Sequence, residues 1–232
     1  PLLGITDIAA IARFAKERGI LTVIDNTFAT PINQNPIKFG IDVVLHSGTK
    51  YLSGHSDICC GAAVTSDALI KKIAGMAKCL GGDLDARACY ELERSLKTLA
   101  VRVEKHNGNA MAVAKFLHKH EKTKKVYYPG LPEHPGHEVA AEQMQGFGGM
   151  LAFELKEGDS EQFMKKLHTI LPAVSLGGVE SLICSPAKTS HALLSKEERE
   201  KIGVTDGLLR LSVGIEEVGD IVADLEAALV KK

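Results

Sequence analysis

Five side chains could do chemistry together in this sequence: the carboxylate of Asp25, the hydroxyls of Ser47 and Thr49, the amine of Lys50 and the guanidinium of Arg210. Asp25 closes the β-branched run Ile20-Leu21-Thr22-Val23-Ile24, and in open α/β sheets ligands bind just beyond such strand ends. Its plain reading is a cap for the turn that follows through Asn26 and Thr27. In Ser47-Gly48-Thr49-Lys50, two hydroxyls, a permissive glycine and exposed amides can hold a phosphate, because all of them donate to oxygen. The segment is not a Walker A loop, since G-x-x-x-x-G-K-[ST] is absent. Lys50 supplies a charge or an amine nucleophile, and its plain reading is a solvated loop lysine. Arg210 lies in Leu208-Leu209-Arg210-Leu211-Ser212-Val213, where a period of two puts Leu208, Arg210 and Ser212 on one face. A guanidinium in such an apolar run is costly unless a carboxylate or phosphate pairs with it, and its planar fork suits a carboxylate. The plain reading is an edge strand with Arg210 snorkelling to solvent.

The surrounding pattern says what must position these groups. Thr6 and Asp7 precede the stripe Ile8, Ile11, Ala12 and Ala15, with Gly19 behind, which predicts a helix. A strand over 20–25, a connection over 35–40, a strand at Val43-Val44-Leu45 and a polar loop over 46–50 follow. Asp25 and Lys50 thus each follow a strand, about one βαβ-like excursion apart, which can bring acid and amine to one sheet edge. Short apolar strands alternating with helices read as a sheet covered on both faces. Helices are expected over 67–80 and 84–99, and a longer, more polar one from about Arg102 to His118. The rhythm then changes. Val126-Tyr127-Tyr128 and Met150-Leu151-Ala152-Phe153 read as strands either side of the Pro/Gly-rich stretch 129–136. Helices over 159–169 and 217–229 flank a third strand over 208–213. The fold class is therefore α/β with an α+β portion behind it, divided near residue 101 into 1–101 and 102–232.

Composition narrows the function. In 232 residues, 28 Lys plus Arg stand against 29 Asp plus Glu, and 45% of residues are hydrophobic with 25% charged. That near-balance argues against a general nucleic-acid or anionic-membrane binder, and the apolar share against disorder. No run approaches the roughly 18 consecutive apolar residues of a membrane span. Five cysteines at 59, 60, 79, 89 and 184, an odd count without C-x-x-C spacing, suit a reducing cytoplasm better than a disulfide framework or a zinc site. His134 and His137 are split by Pro135-Gly136, and His118 and His120 sit in a lysine-rich surface segment, so no metal site is expected. The chain opens at Pro1-Leu2-Leu3-Gly4 without a methionine and reads as a piece of something longer.

Taken together, Val23 to Pro31 (VIDNTFATP), Ser47 to Asp57 (SGTKYLSGHSD), Val174 to Leu182 (VSLGGVESL) and residues 208–214 resemble the Cys/Met-metabolism (trans-sulfuration) family of pyridoxal-phosphate enzymes. The order matches over nearly the whole chain. The resemblance implies fold type I: the end of a mostly parallel-sheet, aspartate-aminotransferase-like large domain, then a smaller α+β domain, with an N-terminal portion ahead of Pro1. It implies pyridoxal 5′-phosphate as cofactor, held by Asp25, Thr27, Ser47, Thr49 and Lys50. Lys50 would be the catalytic lysine that joins the cofactor aldehyde as a Schiff base, Asp25 the acid at the pyridinium nitrogen, and Ser47 and Thr49 the phosphate ligands. Arg210 and Ser175 would bind the substrate. The expected reaction is γ-elimination on cystathionine or methionine, the apolar Val174 favouring that branch; the alternatives are a β-lyase, a γ-synthase or acyl-homoserine sulfhydrylase, and an inactive scaffold subunit. A phosphate-binding α/β protein without pyridoxal leaves Asp25 and Arg210 unexplained. The family also implies a homotetramer, a dimer of dimers sharing its sites, that takes a small sulfur amino acid and neither nucleic acid nor membrane.

Overall fold

The computed structural model describes residues 1–157 and 159–230, so Gly158 and the last two residues of the expected second domain lie outside the described residues. Asp7 caps α1 (Ile8–Lys16) by accepting the Ala10 amide, and Ile8, Ala12 and Ala15 of the predicted stripe are buried, whereas Ile11 is exposed. β1 (Val23–Asp25), the short α2 (Thr30–Asn33), β2 (Val43–Ser47) and β3 (Gly61–Thr65) follow. They form a three-stranded sheet in the order β1-β2-β3. β1 runs parallel to β2, with Asp25 opposite Leu45, and β3 returns antiparallel, with Gly61 opposite Ser47. This part of the sheet is thus mixed, one parallel pairing and one antiparallel.

The register has a direct consequence. β1 stops at Asp25 opposite Leu45, whereas β2 continues two residues to Ser47, so the acid and the hydroxyl segment leave the sheet at the same edge. β1 departs from the fully covered strand expected: it is an edge strand, and Val23 is 57% exposed beside similarly open Ile20 and Leu21.

α3 (Asp67–Leu80) and α4 (Ala86–Leu96) lead to α5 (Leu99–Lys119), an unbroken helix of 21 residues. At 1.5 Å per residue it runs for about 30 Å. Its first turns pack Leu99 and Val103 with Tyr51, Leu52, Met150 and Leu176, while Ala110, Val113, Ala114 and Leu117 enter a second core. The chain continues through β4 (Thr123–Tyr127), α6 (His137–Gln143), β5 (Met150–Leu155), α7 (Ser160–Met164), β6 (Leu171–Pro172), β7 (Leu182–Cys184), α8 (Lys196–Lys201), β8 (Leu208–Ser212) and α9 (Val218–Val230), and β4, β5, α7, β7, β8 and α9 supply most of the rest of that core. The sheet order is β4-β5-β8-β7-β6, antiparallel except for β6 with β7.

β8 lies in the middle of this sheet, so the edge-strand reading of Arg210 does not hold. The period of two does hold: Leu209 and Leu211 pack in the α5–α9 core, whereas Leu208 packs on the other face with Ala152, Ala187 and Val204. α7 ends at Met164, short of the expected 169, because the buried carboxylate of Asp224 accepts the amides of His168, Thr169 and Ile170. Those amides gain a charged acceptor in place of helical carbonyls. No helix among the described residues is long and apolar enough to cross a membrane, and no group of three or more His, Cys, Asp or Glu among them is placed to hold a metal ion.

Candidate active site

The segment after β2 is a single π-type turn, Gly48–Leu52, in which Lys50 breaks the helical run at φ −89°, ψ −125°. Ser53 closes it by donating its amide to the Gly48 carbonyl at 2.9 Å, and Gly54 donates to the Lys50 carbonyl at 2.7 Å. Gly48 is required by close approach, since a methyl there would lie 2.5 Å from the Cys60 Sγ and 3.3 Å from its carbonyl oxygen. Thr49 faces the same strand entrance. Its hydroxyl accepts the Cys60 amide at 2.9 Å and donates to the Cys60 carbonyl at 3.2 Å, fastening the turn to the start of β3.

The Lys50 ammonium donates to the Ser175 Oγ at 2.9 Å, across 125 positions of sequence. Arg210, half-buried in β8, reaches the same segment: its Nη2 donates to the Val174 carbonyl at 2.7 Å and to the Ser175 carbonyl at 3.2 Å. Its Nε is buried and has no partner among the described residues. The loop that carries Ser175 is held from both sides. Gly177 donates to the Ser212 Oγ at 2.9 Å and packs on the backbone of Tyr51, while Val179 donates to the Gly54 carbonyl at 3.0 Å. Amine, hydroxyl and guanidinium therefore converge, although they arrive from the two sheets and the loop between β6 and β7.

Asp25 and Thr27 form a second group. The Asp25 Oδ1 accepts the Thr27 amide at 2.9 Å, so the turn-capping reading is realised. Thr27 in turn accepts the Ser47 amide through its hydroxyl at 2.7 Å, tying the acid's loop to the end of β2. The Ser47 hydroxyl has no partner among the described residues. Asp25 lines a cavity of about 430 Å³ with Phe28, Pro129, Phe147 and Met150; Ser47, Thr49, Lys50 and Arg210 do not line it. The two groups are linked through Thr27, Ser47 and the turn rather than by direct contact.

The donor set suits pyridoxal 5′-phosphate: an amine for an aldehyde, hydroxyls for a phosphate, a carboxylate for a pyridine nitrogen. The orphaned, buried Arg210 Nε suits an anion beside them. Thr49 is the exception in its present rotamer, its hydroxyl already spent on Cys60.

Sequence reasoning missed the polar residues of α5. Arg102, His106 and Asn109 occupy buried positions of its apolar stripe, and that placement was the available signal. The His106 Nδ1 donates to the Val213 carbonyl at 2.7 Å, and burial lowers its pKa to about 4. The Asn109 amide donates to the carbonyls of Gly214 and Glu216. Tyr51, wholly buried and edge-on to His106 at 5.1 Å, has its phenol pushed up by that burial.

Known proteins match the chain along almost its whole length. The chain is 51% identical, over 99% of its length and 60% of the other's, to a cystathionine beta-lyase of Coxiella burnetii. It is 47% identical, over its whole length and 60% of the other's, to an L-methionine gamma-lyase of Fusobacterium nucleatum. The chain thus spans about 60% of the length of the curated relatives it matches. Among solved structures, the cystathionine gamma-lyase from Lactobacillus plantarum complexed with L-serine superposes with a TM-score of 0.94 at 44% identity, over 98% of this chain and 60% of that one. The model of the family described as Cys/Met metabolism PLP-dependent enzyme matches residues 1–230, and the chain belongs to that family.

Proposed function

We propose that the protein is a pyridoxal-phosphate-dependent carbon–sulfur lyase acting on a sulfur amino acid through Lys50. The observation that carries this reading is the Lys50 ammonium on Ser175, 2.9 Å away, with the Arg210 guanidinium on the carbonyl of that same residue. A proton-moving amine and a carboxylate-binding fork thereby share one support, as a reaction at the carbon between an amino and a carboxyl group requires.

Bound there, pyridoxal 5′-phosphate supplies the electron sink that stabilises negative charge at the substrate Cα. Lys50 would take the proton from Cα and return it to the sulfur that departs as the carbon–sulfur bond breaks. Ser175 orients that amine between transfers. Arg210 would clamp the α-carboxylate, Asp25 would pair with the pyridine nitrogen, and Ser47 and Thr49 would hold the phosphate, with Thr27 fixing the Ser47 amide. Thr49 would do so only with its hydroxyl released from Cys60.

Within this class β-elimination on cystathionine is better supported than the γ-elimination the sequence suggests. Support comes from the relatives: cystathionine beta-lyases reach 51% identity, against 47% for the methionine gamma-lyase. A division near residue 101, a homotetramer and a cytoplasmic setting go with this proposal. The test is a substrate panel on the full-length, cofactor-loaded protein with cystathionine, methionine and cysteine offered separately. Cleavage at the β-carbon of cystathionine releases a three-carbon 2-oxo acid with ammonia; cleavage at the γ-carbon releases a four-carbon one. Ammonia from none of the three would refute the lyase reading.

A further inference from the structure

Arg102 enters the Lys50 segment from the first turns of α5 and is 5% exposed, yet no carboxylate pairs with it among the described residues. Its donors go to backbone instead. Nη1 donates to the Tyr51 carbonyl at 2.7 Å, and Nη2 to the carbonyls of Leu52 at 3.2 Å and Ser95 at 3.0 Å. Nε donates to the Thr98 hydroxyl at 3.1 Å. Tyr51 and Leu52 directly follow Lys50, at the end of a turn that does not continue as helix, so their carbonyls have no amides further along to accept. Gly54, at φ +73° and without a side chain, leaves room for the guanidinium to lie against it. Tyr51 is also gripped on its ring by His106 and on its backbone by Gly177. An apolar side chain of the same length would pack at this place on α5 without the desolvation that burying a guanidinium entails. What only arginine adds is the set of donors.

We infer that Arg102 is a positioning residue for Lys50, its guanidinium fixing the Tyr51 and Leu52 carbonyls so that the amine is presented toward Ser175. The inference rests on the reading of Lys50 as the reacting amine. Hydrogen exchange and steady-state kinetics on the full chain test it. In cofactor-free Arg102→Met, the amides of Ser53 and Gly54 exchange about tenfold faster while those of Leu151 and Phe153 keep their protection, as expected for lost charge-assisted bonds. In the loaded enzyme kcat falls with KM little moved. Arg102→Lys, whose ammonium reaches only part of the carbonyl set, falls between the two; it decides by the same exchange readout if Arg102→Met does not fold. Unchanged exchange at Ser53 and Gly54, or a loss of protection spread evenly over the chain, overturns the inference. A Lys50→Ala enzyme that keeps its borohydride-reducible chromophore overturns the reading of Lys50 instead, and leaves the restraint measured by exchange standing.

Discussion

At the scale of single residues, function turns on which polar atoms are already engaged. The Arg210 Nη2 is spent on the carbonyls of residues 174 and 175, while its Nε is buried without a partner. A buried donor left unpaired is costly, and an arriving carboxylate removes that cost. Arg210→Lys should therefore raise KM for the amino-acid substrate by about ten- to a hundredfold, since an ammonium cannot present the planar fork. The kcat should change less, and steady-state kinetics separates the two. A KM equal to wild type would remove Arg210 from substrate binding. The residue types at 25, 47, 49, 50 and 210 were legible in sequence because strand-end and period-two patterns are local. The occupied Thr49 hydroxyl was not legible, because its partner Cys60 comes from the next strand entrance.

At the scale of elements, the β2–turn–β3 unit is where geometry is tightest. Gly48 lies so close to Cys60 that an added methyl has no room, and the displacement falls on the segment carrying Thr49 and Lys50. Gly48→Ala should lower stability by about 1–3 kcal/mol, the usual cost of overpacking. Adding Cys60→Ala should return part of the loss by removing the sulfur, the carbonyl contact remaining. Denaturant melts of the single and double variants check this; an additive pair would show that the two residues do not meet. Longer elements followed their periodicity closely, α5 being found at Leu99–Lys119 where a helix to His118 was expected. The short strands β3, β6 and β7 escaped notice. Two to five residues carry too little pattern, and their extended form is set by neighbours in the sheet.

At the scale of the molecule, α5 binds the two sheets into one arrangement. Arg102 holds the Lys50 turn, His106 the carbonyl of Val213 beyond β8, and Asn107 exchanges hydrogen bonds with Asn33 of α2 beyond Asp25. The buried His106 gives this joint a pH dependence. Burial and the nearby Arg102 lower its pKa from 6.5 to about 4, against the opposing influence of the Val213 carbonyl and Glu180. The unfolded chain thus takes up the proton first as pH falls. Stability from this group is complete above about pH 6.5 and is lost toward pH 4, roughly 2 kcal/mol of it between about pH 7 and pH 5. His46 and His134, whose pKa values burial also lowers, act in the same direction. His106→Gln, which can still donate to Val213, should flatten the dependence of the melting temperature over that interval. An undiminished slope in the variant would place the effect elsewhere.

The sequence by itself determined the residue types, their order along the chain and the strand ends beside Asp25 and Ser47, because these follow from local period and turn chemistry. The likeness of its motifs at 23–31, 47–57, 174–182 and 208–214 pointed separately to the family, and so to an acid, a hydroxyl segment, an amine and an arginine as parts of one site. Only the tertiary structure decided that Lys50 meets Ser175, that Arg210 lies in a central strand, and that a buried arginine on a helix secures the lysine's turn. Each of these joins groups 35 to 125 positions apart. Such contacts are fixed by which apolar faces α5 buries against the two sheets, a property of the packed chain that no local pattern carries.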